Sequence, residues 1–91
     1  METRVAVISI IVENPESVEV LNALLHEYGG YIIGRMGSPY RAKARKISII
    51  SVAIDAPQDT ISTLSGKIGK LPGVSAKTAY SNIIAKDGVR T

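Results

Sequence analysis

Two segments of this chain are apolar on both faces of an extended strand, and this limits the fold more than any other feature. In residues 5–12, Ala6, Ile8, Ile10 and Val12 form one face, and Val5, Val7, Ser9 and Ile11 the other. In residues 47–54, Ile50, Val52 and Ile54 alternate with Ile47, Ile49, Ser51 and Ala53. Neither face of either segment is polar. Strands of this kind sit in the middle of a sheet and are covered on both sides. Both segments are rich in the β-branched residues that suit a pleated, buried surface.

The segments between them supply the rest of an architecture. Asn14-Pro15-Glu16 predicts a helix start, with Asn14 as N-cap, Pro15 at the first helical position and Glu16 complementing the dipole. Val18, Leu21, Leu25 and Tyr28 then recur at helical spacing, and Gly29-Gly30 ends the helix. Residues 31–36 read as a second strand, broken by Gly37-Ser38-Pro39, and a basic loop runs to Arg45. After the third strand, Asp55-Ala56-Pro57-Gln58 resembles a helix start, with Asp55 as N-cap and Gln58 placed for a capping box. Ile61, Leu64, Ile68 and Leu71 form the apolar stripe of the second helix, which stops at Pro72-Gly73. Residues 74–84 supply a fourth strand, and residues 85–91 are expected to fray as a C-terminal tail. The order β-α-β-β-α-β predicts an α+β ferredoxin-like sandwich, one domain over residues 1–84. It has a four-stranded antiparallel sheet with two helices on one face.

That layout leaves the other sheet face bare. Its residues, Val5, Val7, Ile11, Ile47 and Ile49, predict an apolar patch that packs on another subunit, giving a homo-oligomer, dimer or tetramer. The core itself is aliphatic, since the 91 residues include no Phe and no Trp. There is no Cys, which excludes a disulfide framework and a thiolate metal site. No apolar run approaches the roughly 20 residues of a membrane span, and the first residues lack a signal-peptide pattern. A cytoplasmic location is expected.

Gly66 and Gly69 are the second marked feature. Each glycine inside a helix costs about 1 kcal/mol relative to alanine. A stretch that carries two, extended by Ser62 and Ser65, predicts a smooth surface where a subunit, a small ligand or the chain's own packing approaches closely. Gly69 is assigned to the subunit seam. Gly66-Lys67-Ile68-Gly69 has the spacing of a KH nucleotide-clamping loop, but that loop leads into a further helix, and here Pro72-Gly73 ends the segment.

With that element order, a family resemblance emerges. Gly34-Arg35-Met36-Gly37-Ser38-Pro39-Tyr40-Arg41, the β-rich residues 47–54, and the run from Asp59 through Gly66-Lys67-Ile68-Gly69-Lys70-Leu71-Pro72-Gly73 to Thr78 resemble the regulators of the iron-only hydrogenase system. These are a small ACT-like family, similar in fold to ACT domains and to the C-terminal domain of nickel-responsive repressors. The resemblance covers residues 4–78. It implies a stand-alone regulatory or sensing domain that oligomerises, binds a ligand and acts as a transcriptional regulator. The repressors' nickel site does not carry over, because this chain has one His and no Cys. With a first strand beginning almost at Met1, their DNA-binding segment is not expected here. The ACT effector turn has a glycine after an acidic residue, whereas Val12-Glu13-Asn14-Pro15-Glu16-Ser17 has none.

Charge is divided unevenly. Residues 1–27 carry −4, residues 28–54 carry +5, and residues 55–91 carry +2. The middle field, Arg35, Arg41, Lys43, Arg45 and Lys46, reads as an anion site for an effector or for nucleic-acid phosphate. Its other readings are a solvated hairpin loop and a guard against wrong strand pairing. Arg41, held by a Gly-x-Pro turn, is the best single candidate, and Tyr40 beside it is suited to stacking. The effector-binding set is Gly34, Arg35, Gly37, Arg41, Ser65 and Gly66, at a subunit seam. His26 lacks metal-ligand partners and suits the helix dipole. Ser9 and Ser51 have no base at a readable spacing, so nucleophilic catalysis has no support. No acid/base pair, cofactor or metal is expected. The chain reads as a non-catalytic sensor domain rather than an enzyme. The rival readings are a nucleic-acid-binding module built on residues 35–46, which the acidic first helix opposes, and a protein–protein adaptor in metalloenzyme maturation.

Overall fold

The computed structural model describes residues 2–40 and 46–86. The elements run β1 (Glu2–Val12), α1 (Ser17–Glu27), a 3-10 turn (Gly29–Tyr31), β2 (Ile32–Tyr40), β3 (Ile47–Ala56), α2 (Gln58–Gly69) and β4 (Val74–Lys86). The strands form one antiparallel sheet in the order β2-β3-β1-β4. This is the ferredoxin-like arrangement. The two segments that are apolar on both faces, β1 and β3, occupy its middle.

One sheet face carries the core. Ala6, Ile8, Ile10 and Val12 of β1 and Ile50, Val52, Ile54 and Ala56 of β3 are buried there. They pack with Leu21 and Leu25 of α1 and with Ile61, Leu64 and Ile68 of α2. Full burial of an aliphatic side chain of this size contributes about 1.5–3 kcal/mol. Both helices therefore lie on this face and hold it by their apolar stripes. Lys67 stitches them together. Its ammonium donates to the Tyr28 hydroxyl at 3.0 Å, lies 5.3 Å from the Tyr28 ring centre and stands 3.8 Å from Glu27 Oε2. The Tyr28 hydroxyl bond, with Glu27 beside it, raises the Lys67 pKa above its ordinary value.

Four local expectations differ from the structure. β2 does not stop at Met36. It continues through Gly37, Ser38 and Pro39 to Tyr40, with Pro39 opposite Ser48. Proline is tolerated because β2 is an edge strand, where a missing N–H breaks no second ladder. Asp55 is not the N-cap of α2. Ala56 is fully buried and paired with Arg4, and Asp55 is paired with Val5, so both stay extended and Pro57 takes the cap position without a side-chain cap bond. α1 begins at Ser17, because Asn14 organises a tight turn ahead of it. The Asn14 Oδ1 accepts from the Glu16 N–H at 3.0 Å, and the Asn14 carbonyl accepts from the Ser17 N–H at 3.0 Å. β4 extends through Lys86, with Ala85 opposite Thr3 and Lys86 opposite Glu2. The remainder of the expected tail, residues 87–91, lies outside the described residues.

The turn after α2 closes against the turn after β1. The Glu13 N–H donates to the Gly73 carbonyl at 2.7 Å, and the Ser17 hydroxyl donates to the Pro72 carbonyl at 2.6 Å. Gly73 has φ of 68°, a left-handed conformation that glycine adopts without strain. Among the described residues, no helix is long and apolar enough to cross a membrane.

Candidate functional site

Two surfaces of the chain stand out. The first is the sheet face opposite the helices. Strand register sets its members, since residues paired across antiparallel strands point to the same side. Val5, Val7, Ser9 and Ile11 lie opposite Asp55, Ala53, Ser51 and Ile49, and Met36 lies opposite Ser51. Val7 is 39% exposed, Ile11 43%, Ile49 46% and Met36 75%. Ile11 and Ile49 are direct cross-strand partners. Ser75, Lys77 and Ala79 extend the face on β4, placed there by pairing with Ile11, Ser9 and Val7. The sheet therefore turns a largely apolar face outward, with the Ser9–Ser51 pair at its middle, Asp55 opposite Val5 and Lys77 on its β4 side among the described residues.

The second surface is a cleft of about 360 Å³ between α1 and β2, lined by Asn22, Leu25, His26, Gly29, Ile32 and Arg35. A β-bulge makes it. Ile32 pairs with Ile54 and Gly34 pairs with Ala53, so Ile33 is the extra residue. The bulge reverses the alternation of β2. Ile32 and Arg35, an odd number of residues apart, both fall on the helix-covered face, opposite the buried Ile54 and Val52. A guanidinium thus stands where an edge strand would ordinarily place an apolar side chain. It reaches α1, and Arg35 Nη2 donates to Asn22 Oδ1 at 2.7 Å. Leu25, only 3% exposed, forms the cleft's apolar floor with the half-buried Ile32. Gly29 lines the cleft without a side chain, and a Cβ there would point into open space among the described residues.

The residues picked out as effector-binding do not form one group in the protomer. Gly34 lies on the open face, opposite Ala53, while Arg35 and Gly37 lie on the helix face. Ser65 is at the other edge of the sheet, where its hydroxyl shares a hydrogen bond of 3.0 Å with Thr78 of β4. Gly66, next to it on α2, faces open space. β2 and β4 are the two edges of the sheet, on the order of 14 Å apart at three strand spacings. Arg41, with most of the basic loop, lies outside the described residues. Of the residues expected at a subunit seam, Val5, Val7, Ile11 and Ile49 are put on the open face by the β1–β3 register, and Ile47, two residues before Ile49 in β3, shares that face by alternation. Gly69 ends α2 on the opposite side, with nothing within 4 Å of the place its Cβ would take. Neither helix glycine makes a close approach to another part of the chain among the described residues.

Asn22, Leu25, His26, Gly29 and Ile32 escaped the sequence-level site reading. Their one signal is the adjacent apolar pair Ile32-Ile33, which interrupts period-two alternation. Among the described residues, no cluster of three or more His, Cys, Asp or Glu is placed to hold a metal ion.

The family model described as "TM1266-like: Iron-only hydrogenase system regulator, putative" matches residues 4–78. Among solved structures, the uncharacterized protein TM1266 from Thermotoga maritima is 33% identical with a TM-score of 0.79, covering 86% of this chain and 96% of that one. The C-terminal domain of LarC, a cyclometallase involved in synthesis of the NPN cofactor of lactate racemase, is 19% identical with a TM-score of 0.51. That match covers 91% of this chain and 59% of that one. The de novo designed protein Foldit4 is 17% identical with a TM-score of 0.52, covering 91% and 99%. The last two likenesses concern the fold alone. No curated protein matches.

Proposed function

The chain belongs to the TM1266-like family of iron-only hydrogenase system regulators, and from that premise we propose that it is a non-catalytic sensor domain that works as a homo-oligomer. Its subunits associate through the open sheet face, and a small effector changes how they associate. The observation that carries this reading is the outward apolar row of Val7, Ile11, Ile49 and Met36. An apolar sheet face of this kind marks an interaction surface. A second copy of the same face is the simplest cover, since two-fold association is self-complementary. The family description favours regulation over catalysis.

Light scattering on the purified chain tests the assembly. The expected mass is a small multiple of the protomer, and it falls to the protomer mass in Ile11→Glu and in Ile49→Glu. Both side chains are half-exposed, so the far-ultraviolet circular dichroism is expected to stay unchanged. A protomer mass for the unaltered chain at tens of micromolar overturns the reading. A nucleic-acid reading draws less support, because the one basic-field residue described on β2, Arg35, lines the small α1–β2 cleft on the helix side.

A further inference from the structure

The geometry points to a binding site for a small organic carboxylate in the cleft between α1 and β2, with the carboxylate on Arg35 and its apolar body on Leu25 and Ile32. This deepens the regulatory reading, on which it rests, by naming the chemical class of the effector and its place.

Three observations combine. First, Arg35 is held in position. The bulge at Ile33 sends it to the helix face, and the bond to Asn22 Oδ1 fixes one end of its guanidinium at 2.7 Å. A guanidinium has five N–H donors in a planar fork, and such a fork matches a carboxylate with two parallel bonds. Asn22 uses one of those donors. Second, the other polar lining groups are donors as well. With its Oδ1 turned to Arg35, Asn22 presents its amide N–H groups, and the His26 imidazole supplies a ring N–H. Among the described residues, no carboxylate side chain lines the cleft, so an incoming anion meets no like charge from them. Third, the floor is apolar and the space is small. Leu25 and Ile32 lie beneath the polar rim, and about 360 Å³ is near the lower end for ligand pockets. Few precisely placed polar groups over an apolar floor are what orient a small amphiphilic anion. Inorganic phosphate would use the rim and leave the floor bare. A neutral apolar molecule would use the floor and leave the guanidinium without its anion.

Titration with 3-methylbutanoate, followed by proton–nitrogen correlation spectra of the intact chain, tests this. The expected result is saturable shifts confined to residues 22–35, including the Gly29 amide and the Arg35 Nε–H. Arg35→Gln is expected to weaken binding at least tenfold, and Arg35→Lys several-fold, because a point charge replaces a fork. Gly29→Leu, which fills the cleft and leaves the charge in place, is expected to block binding. The neutral isostere 3-methylbutan-1-ol and inorganic phosphate are expected to bind at least tenfold more weakly. Absence of saturable shifts, shifts that survive Arg35→Gln or Gly29→Leu, or phosphate binding as tight as 3-methylbutanoate overturns the inference. Mass is measured by light scattering on the same samples. Failure of anion binding with the assembly intact rejects this site alone, whereas a protomer mass rejects the oligomeric reading.

Discussion

Gly73 stands directly against Asn14, so that a Cβ on Gly73 would come within 2.7 Å of the Asn14 Cβ and 3.0 Å of its backbone nitrogen. The two belong to turns far apart in sequence. Asn14 opens the approach to α1, and Gly73 ends the turn between α2 and β4. The contact leaves no room for any side chain, and the φ of 68° independently favours glycine.

Gly73→Ala is therefore expected to destabilise the chain by about 2–5 kcal/mol. That combines roughly 1–2 kcal/mol for a left-handed non-glycine residue with a further 1–3 kcal/mol of overpacking. Urea denaturation measures it as a lower midpoint at an unchanged slope.

Ser17→Ala removes the other tie at the same end of the molecule. Ser17 is 4% exposed, and its hydroxyl donates to the Pro72 carbonyl at 2.6 Å. The expected loss is about 1–2 kcal/mol, since the partly buried carbonyl loses its donor. Because both ties join the same pair of turns, the Ser17→Ala and Gly73→Ala losses are expected to sum to more than the double variant shows.

Gly66→Ala is expected to act in the opposite direction. The position is inside α2, and a Cβ there meets nothing within 4 Å. The gain is about 0.5–1 kcal/mol from helix propensity and a stiffer unfolded chain. With assembly through the sheet face, the mass by light scattering stays unchanged. A fall in mass instead places a subunit against α2.

The Lys67 link between the helices responds to pH. Its pKa is raised in the fold by the Tyr28 hydroxyl, with Glu27 assisting. A group whose pKa is raised on folding stabilises fully below its unfolded value and loses that contribution as pH rises through its folded value. Lys67→Met is thus expected to melt slightly below the unaltered chain at pH 8. The difference closes as pH climbs above the ordinary lysine value of 10.5. The effect is small because the pair is exposed. Melting curves for the two chains across that range measure it.

The central strands, both helices and the outward apolar face are readable from the chain, because each depends on a local period of apolar residues. What topology decides is not readable in that way. Pro39 looks like a strand breaker, and only its place on the sheet edge makes it tolerable. Asp55-Ala56-Pro57-Gln58 has the residues of a capping box, yet the pairing of Ala56 with Arg4 keeps the segment extended. The α1–β2 cleft depends on one extra residue, Ile33, which turns Arg35 from an expected outward position to the helix face. Plain alternation along residues 31–36 gives Ile32 and Arg35 opposite faces. A single bulge thus separates the site from its sequence signal.

The place of β1 between β3 and β4 carries a consequence for how the chain folds. Ala6 lies opposite Ile54 on one side and Tyr80 on the other, so the strand synthesised first is completed by partners synthesised much later. Two of the three ladders join distant parts of the chain, and only β2–β3 is a local hairpin. Loop-closure entropy must be overcome before those ladders form, so folding is expected to be slow for a chain of 91 residues. Neither β1-α1-β2 nor β3-α2-β4 holds a complete sheet by itself, because β1 pairs with β3 and β4, so the two segments are expected to melt as one cooperative unit.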